Sequence, residues 1–132
     1  MRNELQRAYP ALKRQWEPHG KVFRRDGVRG EPDFMLTANA WPRIPAYVEV
    51  KAKAQIGIDT GLSYLQAAHL DELAGVHLLA RLLIYNVNHD LWHVSDGPFL
   101  SIHGRVKSAK DLPWRTRKEL DPDFFMWSEF LQ

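Results

Sequence analysis

No cysteine occurs among the 132 residues. That excludes disulfides and thiolate metal sites and fits a reducing, cytoplasmic setting. No apolar run reaches the roughly 18 to 20 residues that a membrane-spanning helix needs. The amino-terminal stretch lacks the charged-then-apolar pattern of a secretory signal. Internal repeats, low-complexity tracts and linkers are missing as well. What remains has the length and make-up of one compact domain with a real core, with 45% hydrophobic and 26% charged residues.

Net charge is only +2, but it is unevenly spread. Residues 1–30 carry eight basic and three acidic side chains, and residues 31–104 carry four basic and eight acidic. Residues 105–118 then hold six basic and one acidic, and residues 119–132 hold four acidic and no basic. Basic flanks around an acidic centre suit a metal site bordered by phosphate-binding surface. They suit solvated helix faces equally well.

Leu5, Tyr9, Leu12 and Trp16 recur at helical spacing, which predicts an amphipathic helix over 3–16 with Asn3 as N-cap. Pro10 removes a backbone donor within it and predicts a kink or a division. Lys21–Arg25 reads as a short strand, followed by the turn signals Asp26-Gly27 and Arg29-Gly30. Phe34–Thr37 and Ala46–Ala52 read as strands joined by a polar, Pro-containing loop. Ser63 is the expected N-cap of a helix running to about Val76, with Leu62, Leu65, Leu70 and Leu73 as its apolar side. Leu78–Val87, the most apolar run, predicts a strand buried on both faces. Asn88-His89-Asp90 is a turn and Leu91–Val94 the return strand of a hairpin. His89 and His93, without cysteines, fall short of a zinc ligand set. Residues 105–132 read as a basic, then aromatic, carboxy-terminal extension of the single domain. Its aromatic tail, Phe124 to Phe130, suits a final helix or a contact between copies of the chain.

Chemistry concentrates between Pro32 and Lys51. Residues two apart in a strand share a face, so Glu49 and Lys51 point one way while Val48 and Val50 point the other. If the two strand-like runs pair as a hairpin, Asp33 lies beside Glu49. Two carboxylates hold a hard cation such as Mg²⁺ through oxygen. A lysine beside them positions a water or offsets charge on a phosphate, which is what metal-assisted phosphodiester cleavage needs. Ionised groups in an apolar strand are costly unless they are paired or bind a cation.

Pro32-Asp33, a gap, then Glu49-Val50-Lys51 resembles the pattern of the PD-(D/E)XK nuclease superfamily. The run Gly61-Leu62-Ser63-Tyr64-Leu65-Gln66-Ala67-Ala68-His69-Leu70 resembles the Gln-bearing helix start that follows Glu-x-Lys in two branches. These are the VRR-NUC nucleases and the small Holliday junction resolvases of archaeal, phage and RecU-like type. The likeness covers about residues 30–88. It implies a single α/β domain of restriction-endonuclease type, with a mixed central sheet flanked by helices in the order helix, three strands, helix, two strands. It also implies a Mg²⁺-dependent DNA endonuclease, in which Mn²⁺ substitutes for Mg²⁺, acting in the cytoplasm of a bacterium, an archaeon or a phage-infected host. The implied substrate is branched DNA, a four-way junction before others, cut by a homodimer with paired sites and no membrane association. The alternatives are a VRR-NUC-like flap or single-strand nuclease, and a non-cleaving DNA-binding module of the same fold.

The resemblance assigns Asp33 and Glu49 to the metal, with the Val50 carbonyl as a further ligand. Lys51 goes to the attacking water, and Gln66 to the water or phosphate. Glu4 stands where the resolvase branch places another metal-approaching Glu, and it reads equally as a carboxylate favoured by the helix dipole. Arg24, Arg25 and Arg29, ahead of Asp33, are DNA-contact candidates, and each also reads as ordinary surface arginine. Lys53 reads as a DNA contact or a solvated lysine. His69 reads as a contact near the scissile phosphate or as a partly buried histidine held by a hydrogen bond.

Overall fold

A computed structural model describes residues 8–25, 30–39, 45–53, 57 and 59–122. Among these, two α-helices pack on one six-stranded mixed sheet. In chain order the elements are α1 (Tyr9–Trp16), β1 (Gly20–Arg24), β2 (Phe34–Ala38), β3 (Ala46–Lys53), α2 (Tyr64–Gly75), β4 (Leu79–Asn86), β5 (Leu91–Ser95) and β6 (Arg115–Arg117). Sheet order follows chain order, β1 to β6. Every neighbouring pair is antiparallel except β3 and β4, which run parallel with α2 as the crossover. No helix among the described residues is long and apolar enough to cross a membrane.

Side-chain alternation divides the core into two. Ala46, Val48 and Val50 of β3 join Phe34 and Leu36 of β2, Trp92 and Val94 of β5, and Leu12 and Trp16 of α1. On the opposite face Ala80, Leu82 and Ile84 of β4 meet Ala67 and Leu70 of α2, with Phe99 and Leu112. The sheet is therefore the middle of three layers. β4 supplies both cores, which explains why it is apolar apart from the buried Arg81 and Asn86. β3 does not: toward α2 it presents Tyr47, Glu49, Lys51 and Lys53. The α2-side core stops at β4, and the polar face of β3 continues the same surface.

Some sequence expectations change here. Pro10 falls in the first turn of α1, directly after a π-helical residue at Ala8, and the expected helix start at Asn3 lies outside the described residues. Leu65 is 43% exposed, and the buried side of α2 is carried by Ala67 and Leu70 with Leu62 ahead of them. The basic segment is built into the domain. Arg115, Thr116 and Arg117 add a sixth strand to β5. Leu112 is buried under α2, and Leu120 is buried on the α1 side. Gln15 makes this possible, because its Oε1 accepts from Trp92 Nε1 at 3.0 Å and from the Leu120 N–H at 2.9 Å. The aromatic tail from Phe124 to Phe130 lies outside the described residues.

Candidate active site

Asp33 and Glu49 come from adjacent antiparallel strands. The β2–β3 ladder ends at Phe34 opposite Val48, so one further step along both chains brings Asp33 beside Glu49. The Arg25 N–H donates to the Asp33 carbonyl at 2.7 Å, which extends the β1 ladder and fixes the Asp33 backbone. Val50 lies past the end of the β2 ladder, with its side chain in the α1-side core.

Glu49 is 1% exposed. Its Oε2 is held from two sides: Gln66 Nε2 donates to it at 2.9 Å, and Lys51 Nζ stands 3.7 Å away. Its Oε1 is buried and receives no N–H or O–H from the groups around it, and Glu49 and Asp33 hydrogen-bond to each other only while the pair holds a proton. Burial, and after it the Asp33 charge, push the Glu49 pKa up to about 9, against the pull of Lys51. Left to itself, the pair keeps a proton on Glu49 at neutral pH. Two adjacent carboxyls that must share a proton when alone make a seat for a cation.

Gln66 is immobilised at both ends of its amide. Its Oε1 accepts from the Ser63 N–H at 2.9 Å, and the Gln66 N–H donates to Ser63 Oγ at 3.1 Å, closing a capping box at the start of α2. That leaves Nε2 to donate to Glu49. One Nε2 hydrogen thus goes to Glu49 and Oε1 to the helix cap, which leaves the second Nε2 hydrogen for the water or phosphate expected of Gln66.

The DNA-contact candidates scatter. Arg24 is opposite Phe34, so β1 directs it to the α1 face, away from Asp33 and Glu49. Arg25 is on the site side, paired with Glu31 at 3.2 Å and lying over the Tyr47 ring with Cζ 5.1 Å from its centroid. Lys53 Nζ donates to the Asp59 carbonyl at 3.0 Å and so holds the loop ahead of α2. His69 is half-buried against Gly30. Glu4 and Arg29 lie outside the described residues.

Asp33, Glu49, Lys51 and Gln66 are thus brought together. Among the described residues no three His, Cys, Asp or Glu side chains converge. Two carboxylates nevertheless fit Mg²⁺, which is commonly bound by one or two carboxylates while keeping several waters. Sequence reasoning passed over Glu31, Tyr47 and Glu72, which border the site. Tyr47 was within reach, two residues before Glu49 on the same face, but an aromatic in a strand reads first as core. Comparison with protein-family models, with curated proteins and with solved structures gives no match.

Proposed function

We propose that this chain is a Mg²⁺-dependent, structure-specific DNA endonuclease of PD-(D/E)XK type, with a four-way junction as its foremost substrate. The observation that carries this reading is the buried Glu49. One oxygen is clamped by Gln66 and Lys51, and the other is offered no donor but a proton shared with the Asp33 carboxyl. A structural carboxylate at this depth would have both oxygens satisfied. Asp33 and Glu49 would hold the cation, with the Val50 carbonyl as a further donor. When bound, the cation polarises a phosphoryl oxygen and lowers the pKa of a water. Lys51, largely buried and beside Glu49, orients the attacking water and offsets charge on the phosphate. Gln66 is a positioning residue that keeps Glu49 turned toward Asp33. Attack on phosphorus leaves a 5′-phosphate and a 3′-hydroxyl.

The test is cleavage of a labelled four-way junction beside matched duplex, flap and single-strand DNA, with Mg²⁺, with Mn²⁺ and with chelator. Symmetric nicks in the junction, abolished by chelator and by Asp33→Asn or Lys51→Ala, are the expected result. If those variants cut as well as wild type, the site assignment is wrong. The Leu62-Ser63-Tyr64-Leu65-Gln66 run resembles the VRR-NUC pattern slightly more, which supports a second reading, a flap or single-strand nuclease using the same residues. Binding without cutting under either metal would instead make the chain a DNA-binding module.

A further inference from the structure

A cleft of about 240 Å³ opens beside Asp33 and Glu49, and nothing in the phosphodiester chemistry uses it. Its position follows from the two elements that build the site. Tyr47 precedes Glu49 by two residues on the same face of β3. His69 follows Gln66 by three on α2, and Leu73 follows His69 by four. The Gln66–Glu49 contact is therefore one rung, and the cleft between Tyr47 and His69 is the next. Pro32, immediately before Asp33, closes one end.

The lining chemistry is mixed. Arg25, placed by Glu31 at 3.2 Å and by the Tyr47 ring beneath it, supplies donors. Glu31 and Glu72 supply acceptors, His69 supplies either, and Tyr47 and Leu73 supply apolar surface. A phosphate subsite needs a surplus of donors and positive charge, and two carboxylates in so small a cleft oppose an anion. A membrane or lipid tail needs an apolar lining. A neutral, flat heteroaromatic carrying both donors and acceptors fits this set, and guanidinium and phenol rings are the surfaces on which bases stack.

We propose that this cleft takes one unpaired nucleobase of the strand being cut, from a nucleotide next to the scissile phosphate. The inference rests on the endonuclease reading and narrows it to DNA in which a base beside the cut is free to leave its stack. The Arg25 guanidinium, backed by the Tyr47 ring, provides the stacking surface, and Glu72 and His69 read the base edge.

The first measurement is a titration of the full chain, in chelator, followed by NMR of the Tyr47 and His69 rings. The probes are the four deoxynucleoside 5′-monophosphates, 2-deoxyribose 5-phosphate and inorganic phosphate. Saturating shifts with at least one nucleotide, and none with the base-free probes, are expected. Loss of those shifts in Glu72→Gln or Tyr47→Leu is expected too, and Glu72 is exposed enough for its variant to fold. Equal shifts from inorganic phosphate, or shifts from no probe, overturn the proposal. This arm decides the question even for a protein that cuts nothing. The second measurement scans an abasic site through the nucleotides around the cut. One position should slow wild-type cleavage about tenfold, as expected for the loss of one stacked base, and slow Tyr47→Leu far less. Cleavage indifferent to every abasic position overturns the proposal and leaves the endonuclease reading standing.

Discussion

Glu49 keeps its proton past neutrality because burial and Asp33 together outweigh Lys51. Its ordinary value is 4.5 and its folded value about 9, so folding takes up a proton between the two. The native state is favoured most below the lower value, and that advantage is lost as pH rises through the upper one. In chelator, the melting temperature of the wild type should therefore fall between about pH 5 and about pH 9, the interval this raised pKa spans. Each pKa unit corresponds to about 1.4 kcal/mol, so Glu49→Gln should flatten the fall and melt several degrees higher at the alkaline end. Mg²⁺ should raise the wild type there and leave Glu49→Gln unmoved. A wild-type curve with no slope over this range would sink the account of Glu49 as a carboxylate awaiting a cation. Gln66 separates two effects in a similar way. Ser63→Ala removes only the helix cap and should cost about 1 kcal/mol. Gln66→Ala keeps that cap bond but removes the acceptor of the Ser63 N–H and the donor to Glu49, and should cost about 1 kcal/mol more, read from denaturant midpoints of the two variants. The Glu-x-Lys spacing was legible in the sequence because strand alternation is local. Which atom Gln66 would touch was not, because that depends on where α2 lands against β3.

At the scale of elements, two contacts hold the frame of the site. Gly30 has φ of +90°, and a Cβ there would stand 2.8 Å from Leu65 Cβ and 3.2 Å from His69 Cδ2. The segment entering β2 thus lies directly against α2. Gly30→Ala should cost about 1–3 kcal/mol, from a positive φ combined with a clash against the Leu65 Cβ, and it should shift Asp33 and slow cleavage as well. On the other side of α2, the Asp71 carboxylate accepts from the Phe99 N–H at 2.8 Å and from the Leu100 N–H at 2.9 Å. Asp71→Ala leaves two backbone donors without their acceptor. Its expected cost is about 2–3 kcal/mol, and thermal melts would check it. An unchanged melting temperature would mean the 99–100 segment finds other partners. Five strands and α2 could be read from periodicity and caps. β6 could not, since Arg115-Thr116-Arg117 has no apolar alternation of its own. Its pairing is fixed by its partner, with His93 Nδ1 and Thr116 Oγ1 2.8 Å apart.

For the whole molecule, the junction reading predicts a homodimer, because two symmetric cuts need two sites related by a two-fold axis. Sedimentation should show a species of twice the 15.3 kDa of one chain. A monomer that cuts flaps would favour the single-strand reading instead. DNA binding should weaken steeply with salt, as expected when basic side chains displace counterions from phosphates. The basic segments that would do this were visible in the charge distribution, but their placement was not: β1 sends Arg24 to one face of the sheet and Arg25 to the other. By itself the sequence determined the α/β class, the element types, and the residue kinds of a carboxylate–lysine site, because periodicity, caps and strand alternation act over a few residues. Only the tertiary structure decided that Asp33 meets Glu49, that Gln66 donates to Glu49, and that a cleft opens between Tyr47 and His69. Each of those depends on the register of separate strands and the seating of α2, which are set by burial of the two cores and not by any local run of residues.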